Sequence, residues 1–145
     1  MKELNDFTSK FTDKQIENVI LNRDIYYLTN PDLRTMSSKI EIKPITEGIP
    51  LGKKGKYFMP SVYLLEILSK LSTNKIYVND KAEWLFLCGR DIFESSILKN
   101  ESERKTFLVQ NMKDENLGYA EKIKKGKNIL IKNKLDRGDF LRRER

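Results

Sequence analysis

The sequence predicts an α+β fold in two parts, a small N-terminal α/β domain followed by a C-terminal mixed β barrel. The chain has 145 residues, of which 39% are hydrophobic and 34% are charged, so it can bury an interior and is not compositionally disordered. Its second half has the pattern strand, short helix, irregular link and three closely spaced strands, which favours a small barrel over a parallel sheet. We place the domain boundary after residue 74, giving domains 1–74 and 75–145.

The first domain begins with a capping-box pattern at Thr12, followed by apolar residues at helical spacing. These features predict a helix from about residue 13 to 21. The apolar run 25–28 predicts a strand that is closed by a turn at residues 30–32. Strict alternation over residues 39–43 predicts a further, half-buried strand.

The rest of the first domain is predicted as a hairpin and a helix. The glycine- and lysine-rich segment 52–56 lacks the Walker spacing of a phosphate-binding loop, so we interpret it as a hairpin turn with a returning strand at 57–59. Pro60 and Ser61 then start a helix. One face of this helix is predicted to carry Leu64, Leu65, Leu68 and Leu71.

The second domain is predicted to open with a strand at residues 75–78. A second capping box, at residues 80–83, predicts a short helix that ends at Gly89. Helical spacing predicts that Trp84, Leu85 and Cys88 point inward.

The remaining strands are predicted from β-prone apolar runs. Residues 106–110 and 117–123 form a hairpin around the turn 111–116, and a final strand begins at Asn128. Apolar residues continue at intervals towards Leu141, so we expect the terminal segment to pack onto the body of the protein.

The composition excludes several classes of function. Histidine is absent, which removes the commonest general base and most transition-metal sites, and we predict no cofactor and no metal. Cys88 is the single cysteine, so an intramolecular disulfide is impossible. With no membrane-spanning or export-type apolar segment, we expect no membrane partner and a cytoplasmic location, or a nucleolar one in a eukaryote.

Positive charge is concentrated at one end of the chain. Residues 122–145 contain ten basic and three acidic residues, and this excess of seven equals the net charge of the whole sequence. The first lysines of this segment lead directly into the apolar run Asn128–Ile131, so we expect them to lie on ordered strand and to line a surface for a polyanion. A solvated basic tail is the alternative interpretation.

Four segments of the second half carry a family resemblance. Residues 75–78 (KIYV), 82–89 (AEWLFLCG), 117–120 (LGYA) and 136–144 (DRGDFLRRE) together resemble a PUA domain. The ending is similar to that of the nuclear import protein seven family of large-subunit ribosome-assembly factors. That family joins an N-terminal pre-PUA domain to a C-terminal PUA pseudobarrel, and residues 55–71 resemble the end of its first domain.

The resemblance implies a protein that binds ribosomal or pre-ribosomal RNA, and other ribosome-assembly proteins, without catalysis. In PUA domains RNA lies against the first helix, the segment after it and the last strand. Here this implies an RNA-binding set of Lys81, Gly89, Arg90, Lys122, Lys124, Lys125, Lys127, Lys132, Lys134, Arg137, Arg142 and Arg143. Salt bridges to Asp136, Asp139 and Glu144 are the competing interpretation for the three arginines.

Two other functions remain open. An RNA-modification enzyme, or its accessory subunit, would need a carboxylate in a pocket of the first domain, where Asp24, Asp32 and Glu47 are isolated acids. A protein adaptor with an acidic partner would use the same basic face. Aromatic side chains near the basic strand are limited to Tyr119 and Phe140, both expected in the core, which argues against base stacking.

Overall fold

A computed structural model of the chain describes residues 1–42 and 44–143, without the side chain of Phe140. The first half contains an antiparallel sheet in the order β1-β2-β3-β4. Its elements are α1 (Lys2–Thr8), β1 (Val19–Asn22), β2 (Ile25–Leu28), α2 (Pro31–Ser38), β3 (Ile49–Lys53), β4 (Met59–Pro60) and α3 (Val62–Leu71).

The second half is built on a six-stranded sheet in the order β6-β10-β9-β8-β5-β7. The β5–β8 pair is parallel and the other pairs are antiparallel, which confirms the predicted α+β fold with a mixed β half-barrel. Its elements are β5 (Lys75–Val78), α4 (Asp80–Leu87), β6 (Ile92–Phe93), β7 (Ile97–Asn100), β8 (Thr106–Gln110), β9 (Asn116–Lys125), β10 (Asn128–Asp136) and α5 (Asp139–Arg143).

Buried apolar side chains of the described residues gather in two clusters. One fills the barrel and includes Phe86 of α4 together with Ile92 and Ile131 of the sheet. The other lies between the halves, where Leu108 of β8 packs with α1, α3 and the first sheet. The barrel sheet is therefore apolar on both faces where the first half covers it, and its β9–β10 end extends away from that contact.

The helix α3 begins where the sequence predicts. Ser61 is its N-cap: the Ser61 hydroxyl accepts a hydrogen bond from the Leu64 amide at 3.1 Å and donates one to the Pro50 carbonyl at 2.6 Å. Leu64, Leu65 and Leu68 are buried on the predicted face, and one residue thus fixes both the helix start and its place on β3.

We expect Ser61→Ala to lower the free energy of unfolding by about 1 to 2 kcal/mol, because the helix loses its cap and the Pro50 carbonyl loses a donor. Urea denaturation followed by circular dichroism measures this change. The control is Ser95→Ala, which replaces an exposed serine outside the α-helices. A loss for Ser61→Ala no larger than that of the control would contradict this role.

Three predictions for the first half are wrong. Residues 13–18 form no helix, and Asn18 has a left-handed φ of 56°. The residues that follow form the strand β1 because they pair with β2. Asn30 does not close a turn: its side chain accepts from the Leu33 amide at 2.7 Å and caps α2, with Pro31 at the first helical position. Residues 40–42 are not strand, and Lys43 lies outside the described residues.

The helix α4 is rotated relative to the prediction. Ala82 and Phe86 point into the barrel, whereas Trp84 is 66% exposed and Cys88 is also exposed. Its N-cap is Asn79, whose side chain accepts from the Ala82 amide at 2.9 Å. Gly89 ends the helix with a φ of 79°, as predicted.

Candidate nucleic-acid interface

The basic segment forms a hairpin that projects from the barrel. Lys125 lies opposite Asn128, so the loop consists of Gly126 and Lys127, and Gly126 takes a φ of 63° as the first residue of a two-residue turn. The strand β8 pairs with β9 only as far as Glu121, and β6 pairs with β10 only at residues 130–131. Residues 124–128 therefore extend beyond both neighbouring strands.

The register of the hairpin divides its lysines between two faces. Lys122 lies opposite Ile131, which is buried in the barrel, so Lys122 and Lys124 are on the core side of the sheet. Lys125 and Lys132 are on the opposite, outer side. The prediction that the lysines line a single basic surface is therefore wrong for the strands. It holds only at the hairpin tip, where Lys127 lies in the turn between the two faces.

Several of the predicted residues are engaged in ion pairs. Lys122 Nζ is 3.0 Å from a carboxylate oxygen of Glu94, and Lys134 Nζ is 3.7 Å from one of Glu121. Arg137 pairs with Glu66 of α3, which joins the second half to the first. These exposed or half-exposed pairs are weak.

Arg142 is held inside a polar cluster. Its guanidinium donates to both carboxylate oxygens of Asp136, at 2.8 and 3.0 Å, and to the Leu87 carbonyl at 2.6 Å. Asp136 is 2% exposed, and its hydrogen bonds raise the pKa of Arg142. The guanidinium also lies against Gly89, where an added Cβ would come within 3.0 Å of it. Arg142 therefore anchors α5 to α4 and β10.

Three further residues of the set are near α4, and a fourth is on α5. Lys81 is exposed in the first turn of the helix, and Gly89 supplies the helix end and the space for Arg142. Arg90 is exposed directly after the helix, and its amide donates to the Leu85 carbonyl at 3.0 Å. Arg143 on α5 is paired with Asp139 at 2.8 Å, so the salt-bridge interpretation holds for Arg142 and Arg143.

The lysines of the hairpin tip are exposed and have no carboxylate partner among the described residues. Lys124, Lys125 and Lys127 are consecutive exposed lysines around the turn. Among the residues described, six members of the predicted set have no carboxylate partner: Lys81, Arg90, Lys124, Lys125, Lys127 and Lys132.

The aromatic side chains agree with expectation at Tyr119 and differ from it at Phe93. Tyr119 is packed edge-on against Phe7 and Phe11, and burial raises its pKa, as expected of a core residue. The side chain of Phe140 lies outside the described part of the chain. Phe93, for which the sequence pattern predicts no role, is 62% exposed and lies directly opposite Leu130 on the basic strand β10. Almost forty residues of chain separate β6 from β10, so no local sequence pattern predicts that Phe93 lies beside β10.

Two concave regions of the described chain have the size to hold a substrate, and an enzyme would need a free carboxylate in one of them. A groove of about 530 Å³ between the halves is lined from the first half mostly by apolar residues, with Lys53, Ser61 and Tyr63 as polar members. Its acids are Asp136 and Asp139, which are paired with Arg142 and Arg143. A second region, of about 680 Å³, contains Glu66, which is paired with Arg137. In neither does a carboxylate of the first half stand free for catalysis.

The isolated acids of the first domain that an enzyme could use for catalysis lie in turns, in a helix or in a hydrogen bond. Asp24 lies in the turn between β1 and β2 with a φ of 65°, and Asp32 is in the first turn of α2. Glu47 accepts a hydrogen bond from the Asn22 side chain at 3.0 Å. Across residues 1–42 and 44–143, no three histidine, cysteine, aspartate or glutamate side chains form a group suited to a metal ion.

None of the helices in the described ranges has the length and apolar character needed to cross a membrane.

Comparison with known proteins places these features in a family. The model of the UPF0113 PUA domain matches residues 74–145. A UPF0113 protein of Archaeoglobus fulgidus is 30% identical over 115 residues, which span 72% of this chain and 66% of that relative, just under two thirds of its length. A protein of Xenopus laevis named as a 60S ribosome subunit biogenesis protein NIP7 homolog is 26% identical over 136 residues, covering 85% of this chain and 76% of the relative.

A solved structure agrees with the fold. The conserved PUA domain protein from Thermoplasma acidophilum superposes with a TM-score of 0.57 at 22% identity, covering 99% of this chain and 92% of that one. The mixed barrel, its capping helix α4 and the sequence match all coincide in the same segment. Residues 74–145 therefore form a PUA domain of the UPF0113 family.

Proposed function

We propose that the protein is a non-catalytic RNA-binding factor that docks on structured ribosomal RNA during assembly of the large ribosomal subunit. The observation that carries this proposal is the projecting hairpin, with Lys124, Lys125 and Lys127 exposed and unpaired within the described chain. The relatives named as ribosome biogenesis proteins support the choice of ribosomal RNA.

The hairpin is suited to contacts with the RNA backbone. Lysine side chains on a rigid ribbon neutralise phosphates and release counterions, which gives affinity without reading base sequence. A paired RNA helix has a major groove too deep and narrow for side chains to read, so recognition of such RNA proceeds by shape and backbone contacts. Lys132 on the outer face, and Lys81 and Arg90 near α4, extend the surface to either side.

The paired cations have a secondary part in this proposal. Lys122, Lys134 and Arg137 contribute when a phosphate displaces their exposed carboxylate partners. Arg142 and Gly89 contribute indirectly, because they hold α5 and the end of α4 in place beside Arg90. Other ribosome-assembly proteins are proposed as partners of the assembled complex, without an assigned surface.

Crosslinking the protein to RNA in its own cells, followed by sequencing of the recovered RNA, tests the function. We expect large-subunit ribosomal RNA to be enriched, with crosslinks confined to a small number of helices and their junctions. A version carrying Lys124→Glu, Lys125→Glu and Lys127→Glu serves as the matched sample and should recover little RNA. Recovery spread over messenger and transfer RNA in proportion to their abundance would contradict the ribosomal assignment.

A further inference from the structure

An apolar row crosses three neighbouring strands on the outer face of the barrel. Phe93 on β6 lies opposite Leu130 on β10, and Leu130 lies opposite Ile123 on β9. This row is directed away from the barrel core, since the adjacent residues Ile92 and Ile131 are buried inside it. Phe93 is 62% exposed, so most of its ring is open to solvent.

The row belongs to neither hydrophobic core. Ile123 and Leu130 are half-buried and pack with neither cluster of the described residues. Apolar side chains in register on adjacent strands form a continuous patch, because paired Cβ atoms lie about 5 Å apart. A contiguous exposed patch of this kind marks an interaction site more often than a single exposed residue does.

Lysines flank this apolar row on the same face. Strand alternation places Lys125 two residues from Ile123, and Lys132 two residues from Leu130. Lys134 also reaches this face, where it meets Glu121. The outer face thus combines an exposed aromatic ring on the edge strand β6 with ammonium groups on the neighbouring strands β10 and β9.

This combination fits a nucleotide that is not base-paired. Its base has an apolar π-face that stacks on an aromatic ring, and its phosphates are attracted by the flanking lysines. A base inside a continuous helix has both faces covered by its neighbours and is not available to Phe93. A surface that only contacted duplex backbone would gain nothing from an exposed phenyl ring at its edge.

We propose that this outer face binds an unpaired segment of the RNA, with one base stacked on Phe93 and the neighbouring phosphates attracted by Lys132 and Lys125. The inference rests on the proposed RNA-binding function and specifies its ligand, a single-stranded stretch next to the helix contacted by the hairpin tip. Base identity is not read in this arrangement, because stacking accepts every base.

The test compares two RNA probes by fluorescence anisotropy with the full chain, a labelled single-stranded oligouridine and a blunt RNA duplex of equal length. Phe93→Ala should weaken binding of the oligouridine roughly 5- to 150-fold, the range for loss of one stacked base, and change duplex affinity less than about twofold. Phe93→Leu keeps an apolar side chain without the ring and should lose most of the same affinity.

The matched control is Tyr57→Ala, which removes an aromatic residue that is 75% exposed and has a lysine, Lys56, over its ring, but lies in the first half. It should leave both affinities unchanged. Thermal unfolding of each variant confirms that the chain remains folded. Equal losses for Phe93→Ala and Tyr57→Ala, or equal losses on the two probes, would overturn the proposal.

Two failures are distinguishable. If the unmodified chain binds neither probe, the proposed RNA-binding function itself fails. If the unmodified chain binds RNA and Phe93→Ala binds oligouridine equally well, only the stacking proposal is overturned, and an acidic, apolar protein segment becomes the occupant to test on this face.

Discussion

Reversing the charge of Lys124, Lys125 and Lys127 to glutamate is expected to lower the affinity for ribosomal RNA about 100- to 500-fold at 0.1 M salt. At 0.1 M salt, tenfold below a 1 M reference, each phosphate contact contributes about 0.7 to 0.9 to the logarithm of the affinity. The variant loses three such contacts, which gives the expected decrease. The side chains lie at the hairpin tip and are exposed, so the fold should be unaffected. Binding to an immobilised large-subunit RNA fragment at fixed salt measures the change.

The control for this experiment has the same change in net charge. Lys2, Lys10 and Lys14 are exposed lysines of the first half, and their joint replacement by glutamate also lowers the net charge by six. We expect its effect on RNA affinity to be less than about tenfold, since these residues act only through the long-range field. Comparable losses in the two triple variants would indicate nonspecific attraction and contradict a localised site.

Arg142→Ala is expected to lower the free energy of unfolding by about 2 to 3 kcal/mol. It leaves the carboxylate of Asp136, which is 2% exposed, with the Asn133 side-chain amide as its remaining donor, at 3.1 Å. The Leu87 carbonyl at the end of α4 loses its donor as well. For a chain of this length the expected decrease in melting temperature is about 4 to 12 °C, measured by calorimetry.

Arg143→Ala provides the comparison on the same helix. Arg143 is 73% exposed and bonds the partly exposed Asp139 at 2.8 Å, so its loss should cost less than about 1 kcal/mol. Arg142→Lys keeps the charge but cannot make the paired contacts to Asp136, and it should fall between the two. Equal stability of Arg142→Ala and Arg143→Ala would show that the buried cluster does not anchor α5.

The strands of the barrel were predictable because their local signals agree. Residues 75–78, 106–110, 117–123 and 128–131 are β-prone runs bounded by turn residues, and all lie within observed strands. The terminal segment is attached to the body as predicted, but not through the apolar residue Leu141, which is 70% exposed. The final helix α5 is tied to the body through Arg142.

The errors arose where the local pattern allowed more than one answer. The segment 82–88 is apolar on almost every side, so helical spacing alone did not decide whether Trp84 or Phe86 points inward. Residues 39–43 alternate correctly, but a strand also needs a partner, which residues 40–42 do not have. The Asn-Pro pair at residue 30 suits a turn and a helix cap equally well.

The candidate site was predictable in its location but not in its arrangement. Counting charges identified the hairpin, whereas the division of its lysines follows from strand alternation, which sends Lys124 and Lys125 to opposite faces. The position of Phe93 beside β10 depends on a tertiary pairing. Sequence reasoning therefore found the cations and missed the aromatic residue next to them.

The most direct test of the central claim is the salt dependence of RNA affinity for the unmodified chain and for the variant with Lys124, Lys125 and Lys127 replaced by glutamine. If the hairpin tip contacts phosphates, log affinity should fall with log salt with a slope of about −2 to −5, and the slope of the variant should be shallower by about 2 to 3. An equal slope for both proteins, or a flat response of the unmodified chain, would contradict an RNA-binding surface at this hairpin.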